Sequence, residues 1–363
     1  MNVGIDARKY FDFGIGTYIR NLAGFFDGLA GDQFTYFVTP DDAGLIRGAH
    51  RGNTLVNRSG KYSVRELFSV AFQANRAGIS LFHAPHYTLP VGLRMRSVVT
   101  IHDVIHLRFP EYFSAVQRAY ARLVIGHACR SADAVIVDSE FAGSELARYF
   151  PGVRNKIHVI PLGVSADYAP GANEAAALAF RKAHDIDGPF LLYVGSLKPH
   201  KNVGTLLRAF AGIRDSSGMT LVLAGESLDA DSSLRDICAR TGIAERVRSV
   251  GWLTEPDLIE AYRGATAVLL PSLYEGFGFP VLEAMACGTP VIASNAASIP
   301  EIMGDAGVAV NPSSQAEMAD AIRAVIDGPG LRKSLREKGL MRAKLFGWDR
   351  CAEATMNLYR SLE

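Results

Sequence analysis

The sequence predicts two α/β domains in tandem, each an open parallel sheet covered by helices on both faces. Three observations carry this. The chain has 363 residues, about twice the usual length of one domain. Short β-branched runs alternate with helical stretches along its whole length. The runs are apolar almost throughout, as strands buried on both faces must be.

In the first half, strands are read at NVGIDA (2–7), TYFVT (35–39), ISLFHA (79–84), SVVTIHD (97–103), DAVIVDS (133–139) and IHVIPLG (157–163). In the second half they are FLLYVGS (190–196), TLVLAGE (220–226), VRSVGW (247–252), AVLLPS (267–272) and PVIAS (290–294). Ser139 reads as the N-cap of the helix after its strand. Thr254 with Asp257 reads as a capping box with Pro256 in the first turn, and Ser314 with Glu317 repeats it. Gly328 followed by Pro329 stops that last helix. The stretch SADYAPGANEAA (165–176) carries Pro, Gly and Asn and no strand, so the domain junction is placed there. The first domain is expected over 1–168 and the second over 175–345. Residues 346–363 read as a final amphipathic helix with Trp348, Ala352, Met356 and Tyr359 on one face. Two such domains create a cleft at the C-terminal ends of their sheets, where doubly wound folds take ligands.

Apolar residues make up 48% and charged residues 21%, the composition of a globular protein with sizeable cores. No apolar run reaches the ~18 residues of a membrane span. The opening MNVGIDARKY is already a strand and lacks the apolar segment of a secretion signal. Cys129, Cys238, Cys287 and Cys351 are far apart, which argues against a disulfide framework or a zinc site and fits a reducing cytoplasm. Net charge is +1, but residues 1–165 hold 18 Lys+Arg against 13 Asp+Glu. A basic first half fits an anionic partner such as a membrane surface, and equally scattered solvated arginines. No compact basic aromatic patch points to nucleic acid.

The richest stretch is YEGFGFPVLEAMACGTPV (274–291). A strand ends near Ser272, EGFGF turns, Pro280 opens a helix and Gly288 closes it. Glu283 is expected in the first turn of that helix and Glu275 at the strand end, on either side of the loop Gly276–Phe277–Gly278. An ionised carboxylate accepts two hydroxyl donors at once, which suits the diol of a sugar or a ribose. The free N–H groups of a helix N-terminus suit a diphosphate. Two acids around a phosphate site suggest a nucleotide-sugar. Taken singly, each acid could instead serve the helix dipole or cap a turn.

This stretch resembles the Glu-x7-Glu signature of a large family of retaining glycosyltransferases of the GT-B fold, which includes many mannosyltransferases. The similarity covers most of the chain and is densest from 190 to 310. It implies two Rossmann-like domains facing across a cleft, with the donor held mainly by the second. In LLYVGSLKPHKN (191–202), Lys201 matches the lysine that holds the donor phosphates. Many relatives carry arginine directly after Gly195, where this chain has Ser196; Lys198 is the alternative second cation. In DFGIGTYIRNL (12–22), Gly14 and Gly16 precede a helix, and the resemblance brings their N–H groups toward the donor phosphate. In TIHDVIHLRFP (100–110), His102 takes the place of a histidine near the donor sugar, with Asp103 orienting it or turning the loop. His106 adds a polar group at the same edge. His83 and His86 of HAPHY are acceptor contacts or satisfied core residues. Gly225 of AGES lines the donor pocket by its backbone. The resemblance also allows the last helix to cross back onto the first domain.

The pairs Asp185/Asp187 and Asp229/Asp231 have the DxD pattern that holds a metal in other transferases. They lie in polar connections, so transfer without a metal or any other cofactor is expected. The resulting expectation is hexosyl transfer with retention. Glu283 binds ribose, Glu275 and the Gly276–Gly278 amides hold the hexose, and Lys201 stabilises the departing diphosphate. GDP-mannose is the favoured donor, with UDP-sugars and dTDP-rhamnose open. The acceptor is expected to be a saccharide or lipid-linked saccharide of a cell-surface polysaccharide, reached at the inner face of a membrane. A nucleotide-sugar epimerase would act without acceptor, and a sugar-binding module would bind donor without turnover. A dinucleotide dehydrogenase would need a third glycine that GIGTYI lacks.

Overall fold

A computed structural model describes residues 1–29, 31–171, 174–213 and 218–363. The expected junction at 165–176 is described except for positions 172 and 173, which lie outside the described residues. The chain divides into two compact units, Met1–Gly163 with Trp348–Glu363, and Val164–Gly347.

The first unit is built on seven parallel strands: β1 (Asn2–Asp6), β2 (Gln33–Val38), β3 (Asn53–Val56), β4 (Leu81–Ala84), β5 (Arg96–Thr100), β6 (Ala134–Val137) and β7 (Ile157–Val159). Their order is β3-β2-β1-β4-β5-β6-β7. The chain therefore leaves β1 in one direction and returns at β4 on its other side, with Ile5 beside His83. The terminal helix Trp348–Ser361 belongs to this unit. Tyr359 on that helix is fully buried, and its hydroxyl meets His83 Nδ1 at 2.5 Å. His83 Nε2 meets Thr100 Oγ1 at 2.8 Å, and Thr100 meets Tyr18 at 3.1 Å. A buried polar chain thus ties the last helix to β4, β5 and the helix Phe13–Phe26.

The second unit holds six parallel strands: β8 (Phe190–Gly195), β9 (Thr220–Gly225), β10 (Val247–Gly251), β11 (Ala267–Leu270), β12 (Val291–Ser294) and β13 (Val308–Val310). Their order is β10-β9-β8-β11-β12-β13. Leu191, Tyr193, Leu221, Leu223, Leu269 and Ile292 form one face of its core with Leu206, Leu207 and Phe210 of the helix Val203–Ala211. Both sheets are wholly parallel, and every crossover except that from β4 to β5 carries a helix.

Eleven of these strands are the ones read from sequence. The other two, β3 and β13, are the outer strands of their sheets. NTLV and VAV are short and only partly buried, so they lack a continuous apolar run. The N-caps are as the sequence places them, but neither capping box is completed: Asp257 Oδ2 accepts from the Thr254 hydroxyl and Glu317 Oε2 from the Asn311 N–H instead of the N-cap amide. Ser139 accepts from the Ala142 N–H, Thr254 from that of Asp257, and Ser314 from that of Glu317. Gly328 ends the helix Gln315–Asp327, and Pro329 opens the next, Pro329–Ala343.

Candidate active site

The C-terminal edge of the second sheet gathers the residues of the 274–291 motif. The strand order reverses between β8 and β11, the position where open α/β sheets bind ligands. The loop after β8 ends in a single turn, Pro199–Lys201, closed by Asn202 at φ 57°. Asn202 donates to the carbonyls of Pro271 (3.0 Å) and Pro312 (2.7 Å), and the Leu273 N–H donates to the His200 carbonyl (2.8 Å). These bonds fix the β8 loop against the β11 loop and set Lys201 on Glu275. The Lys201 ammonium donates to both carboxylate oxygens at 2.7 and 2.8 Å. Ser272 adds a hydroxyl donor to Glu275 Oε1 at 2.7 Å. Lys201 and Glu275 keep side-chain exposures of 19% and 12%, so the pair is accessible to a ligand.

The loop that follows is rigidly held. Ser298 is fully buried, and its hydroxyl donates to the carbonyls of Glu275 (3.0 Å) and Phe277 (2.9 Å). Gly278 caps the helix Phe279–Cys287 at φ 110°, and a Cβ there would lie 2.7 Å from Ile299 Cδ1. Only glycine tolerates both constraints. The helix N-terminus therefore opens directly beside Glu275, with Pro280 in its first turn.

Glu283 is not in that first turn, as the sequence reading has it. It is the fifth residue of the helix. There it no longer serves the helix dipole. It is half-buried, and the Tyr262 hydroxyl donates to its Oε2 at 2.6 Å. Burial pushes its pKa up to about 7, against the lowering effect of that hydrogen bond. Tyr262 has no motif of its own; a lone tyrosine in the helix Glu255–Gly264 gives no sequence signal.

The neighbouring loops contribute backbone. Gly195 and Gly225 pair across β8 and β9. A Cβ on Gly225, at φ 124°, would lie 2.2 Å from the Gly195 carbonyl, so this glycine keeps two strand ends in contact. Tyr193 donates to the Ser196 carbonyl at 2.5 Å, and Glu226 accepts from the Leu197 N–H at 2.9 Å. Lys198 is exposed at the start of the turn that ends in Lys201.

In the first unit, Gly14 and Gly16 do not precede a helix but lie inside the first turn of Phe13–Phe26. The Gly16 N–H is spent on the Asp12 carbonyl at 2.6 Å. His102 is held at both nitrogens, by Asp138 Oδ2 at 2.7 Å and the Pro85 carbonyl at 3.2 Å. Burial opposes its protonation, but Asp138 outweighs burial and raises the pKa. The orienting carboxylate is thus Asp138, outside the motif, and not Asp103, which accepts from the Ile105 N–H at 3.1 Å. His83 is no acceptor contact: it is wholly buried in the Tyr359–Thr100 chain, and burial lowers its pKa to about 3. His86 packs tilted against Tyr87, ring centroids 3.8 Å apart, and His106 against Phe113 at 4.2 Å. Of the aspartate pairs, Asp231 caps the helix Ser232–Thr241 by accepting from the N–H groups of Ser233 and Leu234, and Asp185 sits in a left-handed turn at φ 52°. Among the described residues no group of three or more His, Cys, Asp or Glu could hold a metal.

A separate cavity lies at the N-terminal edge of the second sheet, lined by Arg263, Arg332, Lys333 and Arg336. It lies at the opposite strand ends from the switch point.

Comparison with known proteins agrees with this geometry. The family described as Glycosyl transferases group 1 matches residues 176–341, and the one described as Glycosyltransferase Family 4 matches residues 14–168. The chain is 32% identical to the O-antigen chain mannosyltransferase B of Escherichia coli over 78% of its own length and 74% of that protein's. It is 31% identical to a D-inositol 3-phosphate glycosyltransferase of Streptomyces avermitilis over 63% of its own length, spanning about half (52%) of that relative. Among solved structures, sucrose-phosphate synthase from Thermosynechococcus elongatus aligns with a TM-score of 0.81 at 25% identity, covering 100% of this chain and 99% of the other. Anabaena HepE, solved with UDP and glucose, aligns with a TM-score of 0.82 at 18% identity over 100% of both chains, a likeness of fold. The chain has the GT-B fold and belongs to the group 1 glycosyl transferases.

Proposed function

We propose that the protein transfers a hexose, mannose from GDP-mannose by preference, with retained configuration, to a saccharide or lipid-linked saccharide acceptor of a cell-surface polysaccharide. The observation that carries this reading is the Lys201–Glu275 pair set beside the Gly278 helix start, with Glu283 four residues into the same helix. Lys201 and the amides of that helix take the diphosphate and stabilise the charge that develops as it leaves. Glu275 turns from Lys201 toward the hydroxyls of the sugar, held by Ser272. Glu283 takes the ribose diol as a carboxylate, with Tyr262 donating to its second oxygen. The acceptor hydroxyl attacks from the side of the leaving group, and a donor phosphate oxygen takes its proton. A Glu275 carboxylate held by Ser272 and given to the sugar hydroxyls is a poor nucleophile, which favours a path without a covalent intermediate. His102, charged by Asp138, adds positive charge on the first unit. Asp185 serves a turn and Asp231 a cap, and no metal is part of the proposal.

The E. coli relative's name supports mannose and polysaccharide synthesis. For a lipid-linked acceptor the support is a stripe on the helix Val64–Arg76: Val64, Phe68 and Phe72 are exposed one turn apart, with exposed Arg65 and Arg76 beside them. Such a face suits the anionic surface of a membrane. Among the described residues no helix is long and apolar enough to cross one.

The test is nucleotide release from GDP-mannose, UDP-glucose, ADP-glucose and dTDP-rhamnose, with and without polyprenyl-diphosphate-linked saccharides. Release from GDP-mannose that rises with acceptor supports the proposal. Conversion of the sugar without acceptor would point to an epimerase, and binding without turnover to a sugar-binding protein.

A further inference from the structure

The first unit buries a lysine whose ammonium has no acceptor. Lys9 follows β1 and is 5% exposed. Among the described residues its ammonium makes no hydrogen bond or ion pair, and it rests over the ring of Tyr62, 3.9 Å from the centroid. The nearby carboxylates are engaged elsewhere. Asp6 gives both oxygens to Arg8, at 2.8 and 2.5 Å. Glu66 Oε2 accepts from Arg8 at 3.0 Å and from the Tyr62 N–H at 3.0 Å. Asp12 holds Lys61 at 2.6 Å. Glu66 Oε1 accepts no hydrogen bond, yet the lysine is not drawn to it.

Two further features face the same spot. Tyr62 adopts φ 60° and is 44% exposed. A left-handed tyrosine is strained, and such strain persists only where its surroundings enforce it, often at ligand sites. His86 stands edge-on to Tyr62 at 5.5 Å, and its buried Nδ1 has no partner. Burial, then the charge of Lys9, holds His86 well below the usual histidine range, so the ring is neutral. Lys9 and His86 follow β1 and β4, the two strands between which the order of this sheet reverses. The charges of Asp6, Arg8, Lys9 and Glu66 cancel, which explains why a buried cation is tolerated. That balance does not explain why its donors and His86 Nδ1 lack partners beside a strained tyrosine.

We propose that Lys9, His86 and Tyr62 form an acceptor subsite for an oxyanion, a phosphoester or carboxylate carried by the saccharide that receives the glycosyl group. Lys9 supplies the point charge, His86 Nδ1 one hydrogen bond, and the Tyr62 ring a wall for the sugar. The proposal rests on the glycosyltransferase reading. The test is direct binding, by calorimetry, of mannose 1-phosphate, glucuronic acid and methyl mannoside to Lys201→Ala protein, so that the phosphate site of the donor does not contribute. At least one anionic sugar is expected to bind about tenfold or more tighter than the neutral one. Which of the two does so identifies a phosphoester or an acidic sugar as the source. Adding Lys9→Met should abolish the preference, and adding Lys9→Arg should keep most of it. His86→Gln covers the case in which Lys9→Met fails to fold, and should weaken anion binding about threefold or more. An equal affinity for charged and neutral sugars, or a preference that survives both Lys9→Met and His86→Gln, overturns the proposal. Nucleotide release by the wild type, with and without saccharide acceptor, separates the two readings. Release that rises with acceptor, together with equal binding of charged and neutral sugars by the Lys201→Ala protein, sinks the subsite alone, whereas a wild type that releases no nucleotide even with acceptor sinks the transferase reading.

Discussion

Replacing Glu283 by glutamine should stabilise the protein while destroying its donor site. Glu283 lies in the helix Phe279–Cys287 with its carboxyl on the Tyr262 hydroxyl, and burial raises its pKa from 4.5 to about 7. The sign follows from linkage. The unfolded chain releases this proton above about pH 4.5, whereas the folded chain keeps it to about pH 7. Stability is therefore lost as pH rises through that window, and the whole loss is present above it. At ~1.4 kcal/mol per pKa unit the full loss is on the order of 3 kcal/mol. Glutamine does not ionise, and its carbonyl still accepts from Tyr262. The variant should match the wild type near pH 4.5 and exceed it increasingly toward pH 8. For a unit of this size the gain corresponds to several degrees in Tm. Thermal denaturation of both proteins from pH 4.5 to 8 measures it. A difference that does not change with pH, or a variant less stable at pH 8, would refute the burial argument. The same substitution should weaken nucleotide-sugar binding about tenfold or more, because an amide cannot accept both ribose hydroxyls. A gain in stability with a loss of affinity marks a group kept for its ligand.

The remaining predictions concern the groups around it. Lys201→Ala should lower kcat on the order of 10²–10³-fold, as the loss of one charge-stabilising donor does; steady-state nucleotide release reads this directly, and near-normal turnover would contradict the assignment. Ser298→Ala removes the hydroxyl that holds two loop carbonyls, and should cost about 1–3 kcal/mol of stability and raise the donor KM. Chemical denaturation with donor kinetics checks both, and a normal KM would deny that Ser298 positions the loop. Asp138→Asn removes the carboxylate that raises His102. The stability His102 contributes is present below about pH 6.5 and is lost as pH rises through its higher folded pKa. The variant should lose this slope, and the His102 ring should titrate lower by NMR.

What was legible in the sequence follows from how locally each feature is determined. The strands inside each sheet show as apolar runs because both their faces are buried. The caps show because a side chain meets an amide three residues on. Lys201, Glu275 and the 276–278 loop could be named because strand, turn and helix start lie in one short segment. Glu283 was named but misplaced, since the helix begins one residue after Gly278 and the acid falls beyond its first turn. Features that depend on distant partners stayed hidden. Asp138 lies 36 residues from His102, Tyr262 lies 21 from Glu283, and Tyr359 lies 276 from His83. Ser298 and Lys9 carry no spacing signal, and their surroundings exist only once the sheets have formed. β3 and β13 are short and only partly buried, and lack the continuous apolar run that identifies most of the others.

The central claim is that Lys201, Glu275 and Glu283 hold a nucleotide-sugar at the switch point of the second sheet. Calorimetric titration of wild type, Lys201→Ala and Glu283→Ala with GDP-mannose and UDP-glucose tests it most directly. The account predicts that the wild type binds one of these donors and that each substitution weakens binding about tenfold or more. Unchanged affinity in both variants, in protein that remains folded, would contradict it.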